Sequence, residues 1–249
     1  MTEEAADRAS PVISTWNEGP LHAALKVWYA QPDDAFEVPV DGFVIDIVRG
    51  DLLIEIQTRG FTALKDKLAT LIRTHPVRLV YPIAREKWIV KMADDGEKQL
   101  SRRKSPKYGS VEQIFDELVS IPHLLAQSNF TFEVLFIHEE EVRRYDARRG
   151  WRRKGWVTQE RRLIKVVEQQ HFTSPEDVRA LIPGILAEPF TSADLASLIP
   201  GGRRRAYRMI YCLRAMNLVT KVGKRGRAVL YRQTQSDDSE QAENSAQRR

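Results

Sequence analysis

The sequence contains a single cysteine, Cys212, in 249 residues, and this scarcity limits the chemistry open to the protein. One cysteine excludes a disulfide within the chain and any zinc site built from several cysteines. The histidines are scattered, without the spacing of metal ligands. No G-x-x-x-x-G-K-[S/T] phosphate loop occurs, so ATP hydrolysis is not expected.

Long apolar runs are also missing. No stretch reaches the roughly 18 apolar residues that a membrane-spanning helix needs. The first ten residues, MTEEAADRAS, are acidic and polar, unlike a secretory signal. We therefore expect a cytoplasmic protein that has no membrane partner.

Charge is unevenly distributed along the chain. Residues 143–232 contain 21 Lys/Arg and 7 Asp/Glu, a net of +14, which leaves −9 for the rest because the whole chain carries +5. A basic segment attached to an acidic one is typical of proteins that bind a polyanion, most often nucleic acid. The alternative is a basic surface that contacts only solvent.

Apolar periodicity predicts an α/β fold for the first 140 residues. Helices are predicted at 16–30, 62–74 and 110–121, and strands at 36–40, 43–48, 52–57, 77–84, 87–93 and 130–138. Ser110 and Gln113 predict a capping box at the third helix. A basic loop is expected between 95 and 110, and the sheet should be partly antiparallel.

Composition predicts the boundaries of the other segments. Polar residues 1–13 and 233–249 should be disordered. The charged stretch 141–157 is interpreted as a junction between a domain at 14–140 and a second domain at 158–232. The second domain should begin with a helix over about 158–170. Its two similar segments, FTSPEDVRALIP and FTSADLASLIP, each predict a helix N-cap at the Thr-Ser pair.

The stretch IDIVRGDLLIEIQ (45–57) places two carboxylates and an amide in strand-forming runs. Gly50-Asp51 suits a two-residue hairpin turn, which would set Asp46 opposite Glu55. Strand alternation then puts Asp46, Glu55 and Gln57 on one face. Opposed carboxylates repel unless a cation or a shared proton compensates, and their hard oxygens suit Mg²⁺. The alternative is a polar, solvent-facing side of the sheet.

Asp46, eight further residues and then Glu55-Ile56-Gln57, on a hairpin between two helices, resemble the motif of the PD-(D/E)XK nuclease superfamily. The resemblance covers about 16–137 and implies a restriction-endonuclease-like mixed sheet flanked by helices. The sequence departs from the motif at two places, because Gln57 replaces the usual lysine and Ile45 precedes Asp46.

The resemblance also implies roles for individual residues. Asp46, Glu55 and the carbonyl of Ile56 would bind Mg²⁺ or Mn²⁺, and Gln57 would position the attacking water. Glu18, on the first helix, matches a glutamate that many members direct at the metal. An amide only forms hydrogen bonds, whereas a lysine also offsets phosphate charge, so Gln57 leaves activity open.

The C-terminal segment predicts a short helix from Thr191 or Ser192, a turn at 200–202, a second helix over 203–216 and a basic hairpin. This order resembles a smaller winged-helix domain, in which the second helix enters the major groove of DNA. Candidate DNA contacts are Arg203, Arg204, Arg205, Tyr207 and Arg208 on the helix, Lys221, Lys224, Arg225 and Arg227 on the hairpin, and Arg102, Arg103 and Lys104 in the basic loop. The alternative is a protein-binding winged helix with solvated arginines.

These features together predict a metal-dependent DNA endonuclease, which could act as a homodimer. The alternative is a DNA-binding regulator or genome-maintenance adaptor whose nuclease fold has lost catalysis. An RNA-processing nuclease is a third, weaker interpretation.

Overall fold

The computed structural model describes residues 19–93, 95–146, 148 and 154–234. The helices are α1 (Pro20–Tyr29), α2 (Lys65–Leu71), α3 (Phe115–Leu118), α4 (Pro175–Arg179), α5 (Ser192–Leu198) and α6 (Gly202–Ala215). The strands are β1 (Ala35–Val40), β2 (Phe43–Arg49), β3 (Leu52–Ile56), β4 (Val77–Met92), β5 (Gln99–Lys104), β6 (Phe130–Tyr145), β7 (Trp156–Phe172), β8 (Val219–Arg225) and β9 (Ala228–Gln233). Single-turn 3-10 helices lie at Phe61–Leu64, Val111–Ile114 and Leu124–Ala126. The predicted disordered segment 1–13, residue Glu18 and nearly all of the predicted tail 233–249 lie outside the described residues.

One large mixed sheet organises the chain, so the expected α/β class with a mixed sheet flanked by helices is confirmed. Its strand order is β1-β2-β3-β4-β6-β7, and β5 pairs separately with β4. The contacts of β4 with β3 and with β6 are parallel, and the remaining pairs are antiparallel. The strands β8 and β9 form a separate two-stranded sheet.

Strands β3 and β5 share one edge of β4. Strand β3 pairs with residues 77–80 of β4 and β5 with residues 88–92, while β6 occupies the other edge almost throughout. Trp88 is eight positions beyond Val80 on the strand, or about 26 Å at the usual rise per residue. The exposed strand β5 therefore lies well beyond the carboxyl end of β3, on the same edge of the sheet.

Two hydrophobic cores cover the two faces of the sheet. The first joins one face to α2, α3 and the C-terminal helices, and Phe132 and Phe172 belong to it. The second lies under α1, where Leu21 and Leu25 pack against Ile47 and Ile54. Because the first core continues from the sheet into α5 and α6, the C-terminal helices are packed directly onto the sheet unit.

The helix predicted at 158–170 was wrong, because this segment is strand β7. Its apolar residues Leu163, Ile164, Val166 and Val167 have helix-like spacing, which misled the interpretation. In the structure Leu163 and Val166 pack under α1, whereas Ile164 and Val167 are exposed. Three irregularities in the β6–β7 register disturb the alternation that a regular strand would display. The predicted junction at 141–157 accordingly contains the end of β6 and the start of β7.

Three smaller predictions also need correction. The strands predicted at 77–84 and 87–93 are one strand, β4, which continues through a register shift near Arg85. The basic loop at 95–110 contains strand β5, whose residues are all exposed. Ser110 precedes a 3-10 turn but its side chain makes no capping hydrogen bond, so the capping box there was wrong.

The predicted helix starts near 173 and 191 are confirmed. Ser174 and Asp177 form a capping box at α4, and Thr191 and Asp194 form one at α5. The predicted helix over 203–216 is α6, and Asn217 follows it with a φ of 58°, as expected for a residue that ends a helix. No helix among the described residues is long and apolar enough to cross a membrane.

Candidate functional site

The predicted hairpin is present between β2 and β3. Arg49 pairs with Leu52 and Ile47 with Ile54, so Gly50-Asp51 forms the two-residue turn. Gly50 has a φ of 56°, a conformation that glycine adopts without a steric penalty. The paired register ends at Ile47 and Ile54, one residue before Asp46 and Glu55.

The strand alternation expected at Asp46 does not continue. Ile45 packs in the core beneath α2, whereas Ile47, two residues later, packs in the core beneath α1. The carboxylate of Asp46 accepts the backbone N–H of Ile56 at 2.8 Å, which replaces the next strand-to-strand contact. The prediction that Asp46 and Glu55 project from one face was therefore too simple, since Asp46 reaches α1 and Glu55 reaches α2.

Asp46 is only 8% exposed and is surrounded by groups from α1. Its Oδ2 lies 3.1 Å from Nε2 of His22, and its Oδ1 lies 3.8 Å from Nζ of Lys26. Lys26 is fully buried and also forms an ion pair with Glu37. Helix α1 thus supplies two groups that can carry positive charge beside the first carboxylate.

Glu55 stands at the carboxyl end of β3 and contacts α2. Its Oε2 lies 2.6 Å from Nζ of Lys67. Burial, and after it the negative charge of Asp46, raise the pKa of Glu55 to about 7, against the opposing effect of Lys67. The electrostatic effect of Asp46 on Glu55 means that the two carboxylates act as one cluster despite their different helical partners.

Gln57 is placed immediately after β3, where its side chain supports a turn. Its amide Nε2 donates to the carbonyl of Gly60 at 3.2 Å, and its backbone N–H donates to Val80 at 2.9 Å. The turn is held from the far side by Arg161, which donates to the carbonyl of Thr58 at 3.0 Å. The predicted water-positioning amide is therefore beside the cluster and engaged with the backbone.

The cluster fits a hard divalent cation in its donor chemistry. Mg²⁺ commonly takes one or two carboxylates and fills its remaining positions with water or phosphate oxygens. The pKa of Glu55 is raised first by burial and then by the charge of Asp46, and a cation bound beside both carboxylates would oppose both effects. Within the described residues, however, no group of three or more His, Cys, Asp or Glu side chains is arranged to hold a metal.

Sequence reasoning missed His22, Lys26 and Lys67. Each lies on a helix distant in sequence from its carboxylate partner, by 12 residues for Lys67 and Glu55 and by 24 for His22 and Asp46. The spacing of residues along one strand holds no information about which helix will cover it. Only the amphipathic pattern of the helices, which predicts their buried faces, could have narrowed the set of helix residues expected to contact the carboxylates.

The predicted DNA-binding residues of α6 divide into two groups. Arg203, Arg204 and Tyr207 are exposed, with 58% of Tyr207 accessible. Arg205 and Arg208 instead each lie 2.8 Å from a carboxylate oxygen of Asp116, on α3. Burial opposes ionisation of Asp116, but hydrogen bonds from Arg205 and Arg208 lower its pKa. These two arginines therefore join α6 to the sheet unit.

The hairpin residues Lys221, Lys224 and Arg227 are exposed, and Arg225 lies 3.4 Å from Asp194. On β5, Arg103 is exposed while its neighbours Arg102 and Lys104 have partners. Arg102 pairs with Glu140 at 2.7 Å and Lys104 with Glu86 at 2.5 Å, and both cations approach the ring of Trp88. The basic candidates thus occupy two separate surfaces, one on α6 and the hairpin and one on β5.

The chain belongs to a family of domains of unknown function, DUF8091, which matches residues 19–173. The matched region runs from α1 to the end of β7, which is the large sheet with its first three helices. An uncharacterized protein of Treponema pallidum (strain Nichols) is 32% identical over 228 residues, covering 91% of this chain and 90% of that protein. That similarity is too long to be confined to the family region, so it also includes much of the C-terminal helices and hairpin. No solved structure matches the chain.

Proposed function

We propose that the protein is a Mg²⁺-dependent DNA endonuclease of the PD-(D/E)XK type, with DNA held by a C-terminal winged helix. The observation that carries this proposal is the pair of Asp46 and Glu55 at the end of the β2–β3 hairpin, where burial and then the negative charge of Asp46 raise the pKa of Glu55. A protein retains such a pair at a cost in stability, which a bound divalent cation would offset.

Each residue of the cluster has a defined task in this proposal. Asp46 and Glu55, with the carbonyl of Ile56, would hold the cation through hard oxygen atoms. The cation, when bound, would polarise the phosphodiester and lower the pKa of the attacking water. Gln57 would orient that water by hydrogen bonds from its amide. His22, whose Nε2 touches Asp46, fixes the orientation of that carboxylate from α1.

The DNA-binding part of the proposal rests on the exposed basic surface of α6 and its hairpin. Arg203, Arg204 and Tyr207 occupy the N-terminal half of α6, the part of such a helix that reaches base edges or phosphates. The hairpin adds Lys221, Lys224 and Arg227 for phosphate contacts. Because Arg205 and Arg208 form ion pairs with Asp116, we assign them to the contact between α6 and α3 and not to DNA binding.

The test is cleavage of supercoiled, linear, nicked and branched DNA in Mg²⁺ or Mn²⁺, comparing the wild type with Glu55→Ala. We expect cation-dependent cutting that Glu55→Ala reduces at least a thousandfold while DNA affinity changes less than twofold. Competition with structured RNA would identify an RNA-processing enzyme. Cutting that survives in Glu55→Ala would contradict the assignment of this cluster as the cleavage site.

DNA binding gives an independent prediction for α6. Arg203→Ala is expected to weaken binding to duplex DNA and to reduce the slope of log affinity against log salt by about 1, because one phosphate contact is lost. Arg73→Ala, which removes an exposed arginine of the sheet unit, is the matched control and should leave the slope unchanged. The measurement is a salt titration of affinity by fluorescence anisotropy. Equal effects of the two variants would argue against a specific role for α6.

A second candidate function is a DNA-binding adaptor whose nuclease fold has lost catalysis. Two observations favour it: Gln57 replaces the motif lysine, and Lys67 and His22 already contact the two carboxylates. Thermal unfolding in the presence of Mn²⁺ separates the candidates, because a ligand that binds the folded state raises the melting temperature. An adaptor with a degenerate site would show no Mn²⁺-dependent increase.

A further inference from the structure

Lys67 is held against the carboxylate cluster by the packing of α2. Leu68 and Leu71 anchor this helix in the core, which turns the side chain of Lys67 toward the end of β3. The side chain is only 13% exposed, and its Nζ lies 2.6 Å from Oε2 of Glu55 and 2.6 Å from the carbonyl of Val44. The ammonium therefore bridges β2 and β3 at the level of the two carboxylates.

The Lys67 ammonium places a positive charge beside Glu55, which Gln57 cannot do. Gln57 lies two residues after Glu55, just past the end of β3. Its amide carries no charge and donates a hydrogen bond to the carbonyl of Gly60. An ammonium has three N–H donors, and the contacts with Glu55 and Val44 account for two of them. Among the described residues these are its two hydrogen bonds, so a third N–H can serve a ligand that approaches the cluster.

The other cations of the cluster are placed differently. Lys26 is fully buried and forms an ion pair with Glu37, on the α1 side. His22 contacts Asp46, also on the α1 side. Lys67 approaches Glu55 from the opposite helix and forms a direct ion pair with it, whereas His22 acts on Glu55 through its charge.

We propose that Lys67 supplies from α2 the positive charge that Gln57 lacks, by donating a hydrogen bond from Nζ to a non-bridging oxygen of the scissile phosphodiester. This inference rests on the proposed nuclease function. In the hydrolysis the water oxygen forms a new bond to phosphorus, one ester P–O bond breaks, and the proton released by the water ends on the departing oxygen. Lys67 stabilises the negative charge that gathers on the non-bridging oxygens as these bonds change.

The experiment measures single-turnover cleavage rates and DNA affinity for Lys67→Met, Lys67→Gln and Lys65→Met. Lys67→Gln keeps hydrogen-bonding capacity without charge, and it guards against misfolding of the methionine variant. Lys65 is exposed on the same helix, so Lys65→Met is the matched control. We expect both Lys67 variants to cleave at least a hundredfold more slowly with DNA affinity unchanged, and Lys65→Met to match the wild type.

A relocated charge distinguishes a catalytic role from a structural one. Introducing Gln57→Lys into Lys67→Gln returns an ammonium to the motif position. We expect the double variant to cleave at least ten times faster than Lys67→Gln alone. Cleavage by Lys67→Gln within threefold of wild type, or a loss that Gln57→Lys does not recover, would overturn the proposal for Lys67. Neither result would affect the nuclease assignment, which fails separately if Glu55→Ala still cleaves.

Discussion

Replacing Glu55 by glutamine is expected to remove about 3 kcal/mol of pH dependence from the stability of the protein. Burial and Asp46 raise the pKa of Glu55 from 4.5 to about 7 in the folded state. The folded protein therefore holds this proton more tightly than the unfolded chain does. The resulting stabilisation is fully present below pH 4.5 and is lost as the pH rises through 7.

The measurement is the free energy of unfolding, from urea denaturation, of the wild type and Glu55→Gln between pH 4.5 and 8. Because glutamine does not titrate, the free energy of unfolding of Glu55→Gln minus that of the wild type should increase by about 3 kcal/mol over this range. Glu97→Gln, at an exposed position, is the matched control. Parallel pH profiles for the wild type and Glu55→Gln would contradict the raised pKa.

The same variant links stability to the proposed cation site. At pH 8 the ionised carboxylates repel, and Mg²⁺ should raise the melting temperature of the wild type by mass action. Relative to the wild type, Glu55→Gln should be more stable at this pH than in acid, yet it should gain little from Mg²⁺. Such a pairing of higher stability with lost cation response is expected where a site is maintained for function against its cost to folding.

Glu139→Ala is expected to destabilise the protein by about 1–3 kcal/mol, because it removes a fully buried carboxylate that pairs with two partly buried cations, Lys87 and Arg161. Glu139 is fully buried on β6, where its carboxylate lies 2.9 Å from Nζ of Lys87 and 2.6 Å from a guanidinium nitrogen of Arg161. Arg161 also donates to Thr58, just past Gln57. Glu139 thus supports the turn that follows the candidate catalytic strand.

Glu140→Ala provides the control for this prediction. Glu140 is the next residue on β6 but is partly exposed, and its ion pair is with Arg102 of β5. Exposed ion pairs contribute little, so Glu140→Ala should cost less than about 1 kcal/mol. If urea denaturation gave the same loss for both variants, the buried network around Glu139 would not be important for stability.

The sequence predicted the parts of the site that depend on neighbouring residues. Gly50 specified the turn, and the spacing of Asp46 and Glu55 around it brought the two carboxylates to the end of one hairpin. The Thr-Ser pairs at 173 and 191 specified helix starts, since capping involves residues three positions apart. The strand β7 was missed because its bulges removed the alternation on which strand prediction depends.

What the sequence by itself determined was the α/β class, the carboxylate hairpin and the two C-terminal helices with their basic hairpin, because each depends on contacts within a few residues. The tertiary structure alone decided which cations meet the carboxylates and which arginines of α6 remain exposed. Lys67 reaches Glu55 only because α2 packs on that face, and Arg205 reaches Asp116 across 89 residues of chain. Such partners are fixed by how whole elements bury their apolar faces, so local spacing does not specify them.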